Sequence, residues 1–148
     1  MAARRDIPAV LRSAEAICRR SGARLTRLRR TVLALVAAAE HPLTAYEILG
    51  RLRPDDPSAT PAGVYRSLDF LTDHGLVHRI ESAKAFVACA IPDHTHPSQL
   101  LVCRHCGTAV ETEDPRVAAA TAHLGRRLGF ALDHSTMELT GLCASCRH

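Results

Sequence analysis

Two cysteine pairs, Cys103-x-x-Cys106 and Cys143-x-x-Cys146, constrain this chain more than any other feature. Two residues between cysteines let both sulfurs reach one tetrahedral zinc at ~2.3 Å, and two such pairs complete a closed four-thiolate site. Such a site leaves no open position, so its role is structural. The 36 residues between the pairs exceed the span of a compact zinc ribbon. They fit a β-α-β insertion whose two ends the metal ties together. A zinc deaminase also carries a Cys-x-x-Cys, but it needs a His-x-Glu and a proline before the first cysteine. Here Val102 precedes Cys103 and no His-x-Glu occurs.

The rest of the composition narrows the class. The 148 residues suit one large domain or two small ones, and no apolar run approaches the ~20 residues of a membrane span. Asp6 and Glu15 interrupt the N-terminal stretch, which therefore does not read as a secretory signal. A cytoplasmic location is expected, where cysteines serve metal or reactivity before disulfides. Aromatic residues are only 3% and tryptophan is absent, which argues against stacking platforms for single-stranded nucleic acid. Net charge is +4, unevenly spread: residues 1–84 hold 14 basic and 9 acidic residues, and residues 85–148 hold 5 and 6. A half at +5 joined to a half at −1 suggests that one domain meets a polyanion and the other does something else.

Periodicity predicts helices over residues 7–20, from Thr26 to about Ala39, and from Thr44 through Leu52. Thr60 followed by Pro61 starts a fourth helix, which Gly75 closes. Two strand-like runs follow, Leu76–Glu81 and Phe86–Ile91, joined by Ser82–Ala85. A hairpin centred between Ala83 and Lys84 would pair Glu81 with Phe86, Ile80 with Val87 and His78 with Cys89. This order is that of a winged helix-turn-helix. Beyond it we expect a strand over Gln99–Val102, a tight cysteine turn, a strand over Thr108–Thr112, a helix from about Pro115 to Leu128, and a last strand over Phe130–Thr140. The fold class is α+β: a winged-helix domain over 1–91, a hinge at about 90–98, and a second α/β domain over 92–148.

His78, Cys89, His94, His96 and Glu111 form a second constellation. The expected register sets His78 opposite Cys89, and folding back at the first cysteine turn brings Glu111 near Gln99, hence near His96. Two nitrogens, one thiolate and one carboxylate result, and the thiolate favours zinc over iron or manganese. Glu113 is an alternative to Glu111, and His134 reads either as a ligand or as a packed histidine. Both sites can fill four positions, which leaves a zinc hydrolase without an open site and gives no reason to expect a small-molecule substrate. The fourth helix is the candidate reader of double-stranded DNA. Val64, Leu68 and Leu71 share its inner face, which leaves Arg66 free to reach guanine O6 and N7 and Tyr65 a phosphate or a thymine methyl. Arg24, Arg27, Arg29 and Arg30, around the start of the second helix, suit the DNA backbone.

These residues resemble the ferric uptake regulator family, and within it the zinc uptake regulator subgroup. The resemblance covers most of the chain. It rests on Arg24-Leu-Thr26, Thr44-Ala-Tyr46, Val64-Tyr-Arg-Ser-Leu68 followed by Gly75-Leu-Val, and the two cysteine pairs with Gly107. The run Val77–Ser82 with Cys89 resembles the zinc subgroup. Iron and peroxide sensors of the family, the alternative reading, generally show a denser His-His-Asp-His run before the first cysteine pair. The resemblance implies a homodimer held by the C-terminal domain, which binds palindromic operators when metal is bound and represses zinc-uptake genes. It implies two zinc ions per subunit, a structural one on Cys103, Cys106, Cys143 and Cys146 and a regulatory one on His78, Cys89, His96 and Glu111. It also implies base recognition by Tyr65 and Arg66. The chain departs from the family at Thr26-Arg27-Leu28-Arg29, where Thr-Pro-Gln-Arg is usual.

Overall fold

The computed structural model describes residues 5–90, 97–133 and 136–147. The chain divides into two compact units, Met1–His94 and Thr95–His148. The first holds helices α1 (Ile7–Arg20), α2 (Arg27–Ala38), α3 (Ala45–Leu52) and α4 (Pro61–Asp73) with strands β1 (Leu43–Thr44), β2 (Val77–Ile80) and β3 (Ala85–Ala88). The second holds β4 (Ser98–Cys103), β5 (Ala109–Thr112), α5 (Pro115–Leu128) and β6 (Thr136–Gly141), then a 3-10 turn over Ala144–Cys146. Among the described residues no helix is long and apolar enough to cross a membrane.

Side-chain caps start the helices where the sequence places them. Asp6, Thr26, Thr44, Thr60 and Asp114 each accept a backbone N–H of the first turn. Thr44 and Glu47 form a reciprocal capping box: Thr44 Oγ1 accepts from the Glu47 N–H at 3.2 Å, and Glu47 Oε2 accepts from the Thr44 N–H at 2.7 Å. The C-terminus of α4 shows why Gly75 stops it. Gly75 adopts φ +67°, its N–H reaches the Thr72 carbonyl, and the Leu76 N–H reaches Leu71. Leu71 and Leu76 are both buried, so this Schellman closure also feeds the core. Val32, Leu33, Ile48, Val64, Leu68 and Leu71 fill that core at 4% exposure or less, with Val77, Phe86 and Ala88 of the wing against it.

The wing corrects the expected register. β2 and β3 pair Ile80 with Ala85, Arg79 with Phe86, His78 with Val87 and Val77 with Ala88. The loop is Glu81–Lys84, one residue earlier than expected, with Lys84 at φ +48°. His78 is therefore opposite Val87, not Cys89, whose N–H bonds Leu76. The shift is by two residues, so every side chain keeps its face. A strand missed in the sequence explains the choice: β1 pairs Leu43 with Phe86 and Thr44 with Ala85. Ala85 is thus claimed from both sides.

In the second unit the sheet order is β5-β4-β6, with β5 antiparallel and β6 parallel to β4. The expected strand over Phe130–Thr140 begins only at Thr136. Gly129 at φ +74° ends α5, and the Phe130 N–H bonds back to the Gly125 carbonyl. The chain then lies over Gly125, where an added Cβ would stand 2.9 Å from Leu132 Cδ1. Residues 130–133 serve this return and cannot join the sheet. Few residues are buried here: among the described residues, Ser98, Gln99, Leu100, Val102, Cys103 and Gly125. Val110, Leu101 and Leu139 form an exposed apolar row across the sheet.

Thr44→Ala should cost the fold about 1 kcal/mol, read by urea denaturation followed by circular dichroism. The N–H and then the hydroxyl of Thr44 hold the Glu47 carboxyl below its usual range. The stability from this pair is therefore complete above the ordinary carboxylate pKa and is lost as pH falls through the lowered one. The variant should show a weaker dependence on acid pH.

Candidate metal centres and nucleic-acid face

The four cysteines of the second unit meet at one point. β4 ends at Cys103, and the turn Arg104–Gly107 folds back so that the Gly107 N–H reaches the Cys103 carbonyl at 2.9 Å. Gly107 takes φ +75°, which a side chain would resist. β6 runs parallel to β4 and delivers Cys143 to the same end, where its N–H donates to Cys103 Sγ at 3.4 Å. The four sulfurs all lie within 4.8 Å of one another. Cys106 Sγ and Cys143 Sγ are 3.8 Å apart. A tetrahedron with ~2.3 Å metal–sulfur bonds has an edge of ~3.8 Å, so the donor set fits zinc. None of the six cysteines is in a disulfide.

The backbone prepares this cluster for a cation. N–H groups of Cys106 and Cys143 aim at Cys103 and lower its pKa to about 5. Cys106 is also lowered, chiefly by Thr108. Cys146 is pushed up to about 12, first by its neighbour Cys143. The N–H groups thus favour the thiolate that a cation binds, and a metal must displace the proton that the crowded sulfurs retain.

The second constellation divides between the units. His78 on β2 and Cys89 just after β3 are both buried, and their ligand atoms lie within 4.8 Å of each other. They share the wing face opposite Val77, Phe86 and Ala88, away from the helical core. They are diagonal neighbours, and the long imidazole closes the gap. In the second unit Glu111 is half-buried on β5, opposite Leu100. Glu113 is half-buried as well, and its Oε1 is enclosed without a hydrogen-bond partner in the structure. His96, with His94 and His134, lies outside the described residues.

On α4 the inner face is Val64, Ser67, Leu68 and Leu71. Tyr65 is 43% exposed, and Arg66 and Ala62 are exposed beside it. Tyr46, in the first turn of α3, is exposed at 67%. It stands in the Thr44-Ala-Tyr46 motif, and its exposure is visible only in the fold. The arginines around α2 differ from one another. Arg24 and Arg27 are exposed, and Arg30 pairs with Glu15. The Arg29 guanidinium is already engaged, with the Arg24 carbonyl and the Phe70 ring. Cys18 is buried in the helical core, where desolvation raises its pKa and keeps it an unreactive thiol.

The family model of the ferric uptake regulator family matches residues 20–140. The chain belongs to the ferric uptake regulator family. Zinc uptake regulators share more of its sequence than peroxide-responsive repressors of staphylococci do, at 40% against 28–30% identity. The zinc uptake regulation protein of Escherichia coli K12 is 40% identical over 138 residues, which are 93% of this chain and 81% of that protein. A solved zinc uptake regulator, complexed with zinc and DNA, superposes with a TM-score of 0.88 at 38% identity, covering 96% of this chain and 95% of that one. Holo XcZur superposes with a TM-score of 0.82 at 42% identity, over 93% and 96% of the two chains.

Zinc binds cysteine as thiolate, so loading the four-cysteine cluster should release protons and its affinity should fall as the pH is lowered from 7 to 5. Competition of the Cys89→Ser variant with a zinc chelator of known pH dependence reads this. An affinity that does not change over that range would remove thiolate ligation at the cluster.

Proposed function

We propose that this protein is a zinc-responsive transcriptional repressor, which binds palindromic operator DNA as a homodimer when zinc is bound and so represses zinc-uptake genes. One observation carries zinc over iron or manganese: the buried thiol of Cys89 stands within 4.8 Å of the His78 imidazole on the outer face of the wing. A thiolate in the ligand set selects a softer ion than the oxygen-rich sites that suit manganese. The likeness to zinc uptake regulators over nearly the whole chain supports the same choice.

Each residue has a part in this reading. Cys103, Cys106, Cys143 and Cys146 hold a structural zinc that cross-links the two ends of the second unit. His78 and Cys89 from the first unit, with Glu111 and His96 from beyond β3, hold a regulatory zinc. A zinc ion there supplies a reversible cross-link whose occupancy follows the free metal concentration. Ligands drawn from both units then favour one arrangement of the two reading helices in the dimer, and DNA binding must tighten the metal site in return. Arg66 reads a base edge and Tyr65 lies beside it, while Arg24 neutralises phosphate. The apolar row of Val110, Leu101 and Leu139, with Phe130, Leu132 and Leu128 also exposed nearby in sequence, is the surface a second copy covers. A repressor of this kind works in the cytoplasm, with its DNA.

Metal analysis combined with a DNA-shift assay tests the reading. A random-sequence duplex pool is selected with zinc-loaded protein, and the selected duplex is then assayed in zinc, iron and manganese. Zinc alone should support binding at low metal. Equal binding with iron or manganese would move the protein to the other sensors of the family.

Arg66→Ala should lose about 1–3 kcal/mol of discrimination at one base pair of the selected duplex, with folding and zinc content unchanged. Footprints of unaltered specificity would remove Arg66 as a base reader.

The two zinc sites should fail differently. Cys103→Ser takes a thiolate from a closed site whose binding energy is largely folding energy, and should unfold the second unit or abolish dimers whatever zinc is supplied. Cys89→Ser should leave a folded dimer with its structural zinc, and lose DNA binding at zinc levels that saturate the wild type. Partial recovery at higher zinc should follow, because three ligands remain. Gel filtration, circular dichroism and a zinc-titrated shift assay read both. Wild-type zinc dependence in Cys89→Ser would make Cys89 a packing residue.

A further inference from the structure

Arg29 stands among the basic residues that suit a DNA backbone, yet its guanidinium is already occupied. Nη1 donates to the Arg24 carbonyl at 2.7 Å, and Cζ lies 3.6 Å from the centroid of the Phe70 ring. The residue is only half-exposed, and its own N–H is held by the Thr26 cap. Phe70 in turn meets His74, their ring centroids 4.1 Å apart, and His74 Nδ1 lies 2.8 Å from the Phe70 carbonyl. Arg24, Arg29, Phe70 and His74 therefore form one chain of contacts from the loop before α2 to the end of α4.

Phe70 occupies a special place on α4. It lies four residues after Arg66, on the same flank of the helix and one turn along. Val64, Leu68 and Leu71 fix the inner face of α4, but apolar packing alone permits some rotation about the helix axis. A planar cation stacked on a ring at the flank opposes that rotation, and it does so on the side that carries Arg66.

We propose that Arg29 is a positioning residue for base recognition: it sets the rotation of the reading helix through Phe70 and makes no phosphate contact of its own. The proposal rests on the DNA-binding reading above. It separates Arg29 from Arg24, which is exposed and keeps the phosphate role.

The test uses the full-length zinc-loaded protein and the duplex it selects from the random pool. Arg29→Gln, Arg29→Lys, Phe70→Leu and Arg24→Ala are compared by affinity, by salt dependence, and by discrimination against a duplex altered at the base pair that Arg66 reads. Active protein is matched by titration at saturating DNA, so that a partly unfolded sample does not mimic weak binding. Arg29→Gln and Phe70→Leu should each lose roughly threefold to thirtyfold in discrimination. Their salt slopes should be wild type, and the double variant should be no worse than either single one. Arg29→Lys should fail like Arg29→Gln, because an ammonium keeps the charge but not the planar stack. Arg24→Ala should instead lower the salt slope by about 0.9 per subunit at constant discrimination.

The proposal is overturned if Arg29→Gln lowers the slope as Arg24→Ala does while Arg29→Lys retains wild-type binding, or if Phe70→Leu discriminates as the wild type does. Phe70→Leu keeps every charge and most of the apolar volume, so it decides the matter even where Arg29→Gln does not fold. If the wild type selects no duplex at all, it is the DNA-binding reading that fails.

Discussion

In the function proposed above, the second unit depends on a zinc cross-link between four sulfurs that lie within 4.8 Å of one another. That unit spans Thr95–His148, and among the described residues its buried side chains are those of Ser98, Gln99, Leu100, Val102 and Cys103 on β4. A segment of this size buries too small a share of its surface to be stable on apolar packing alone, and such segments need a metal, a disulfide or a partner. A metal on the cysteine cluster would meet that need by joining the turn after β4 to the end of β6, whose parallel pairing is connected through β5 and α5. Exposed apolar residues concentrate in the same unit, which suits the second copy proposed above.

The first unit is stable for ordinary reasons. Its helices start at side-chain caps, α1 and α4 close at Gly22 and Gly75, and all share one core with the inner face of the wing. That solid packing is what makes the outer faces useful. Arg66 and Tyr65 project from a helix that is anchored on its other side, and His78 and Cys89 sit on the wing face that the core does not use. The same short hairpin therefore serves the fold with alternate residues and leaves the others for the metal site proposed above.

Where residues act through local spacing, the sequence was enough to find them. The two cysteine pairs, the threonine and aspartate caps and the two faces of α4 depend on separations of three or four residues, which helices and tight turns impose whatever surrounds them. The wing register was different. Nothing between Ile80 and Ala85 has the asparagine–glycine signature that would pin a turn, so the choice fell to β1, a two-residue strand 41 positions before Ala85 at Thr44. His78 and Cys89 were still correctly placed on one face, because a slip of two residues preserves the alternation of the pleat.

The sequence by itself therefore determined the meeting of the two cysteine pairs, the starts of the helices and the inner and outer faces of α4, since each follows from short-range geometry and residue chemistry. Only the tertiary structure decided three other matters: the hairpin register, the late start of β6 after the chain turns back over Gly125, and the occupation of Arg29 by a ring rather than by solvent. The register and the place of Arg29 depend on segments some forty residues away, and the start of β6 on a return of the chain that packs Leu132 against Gly125. Such contacts are settled by packing, which the spacing of residue types does not encode.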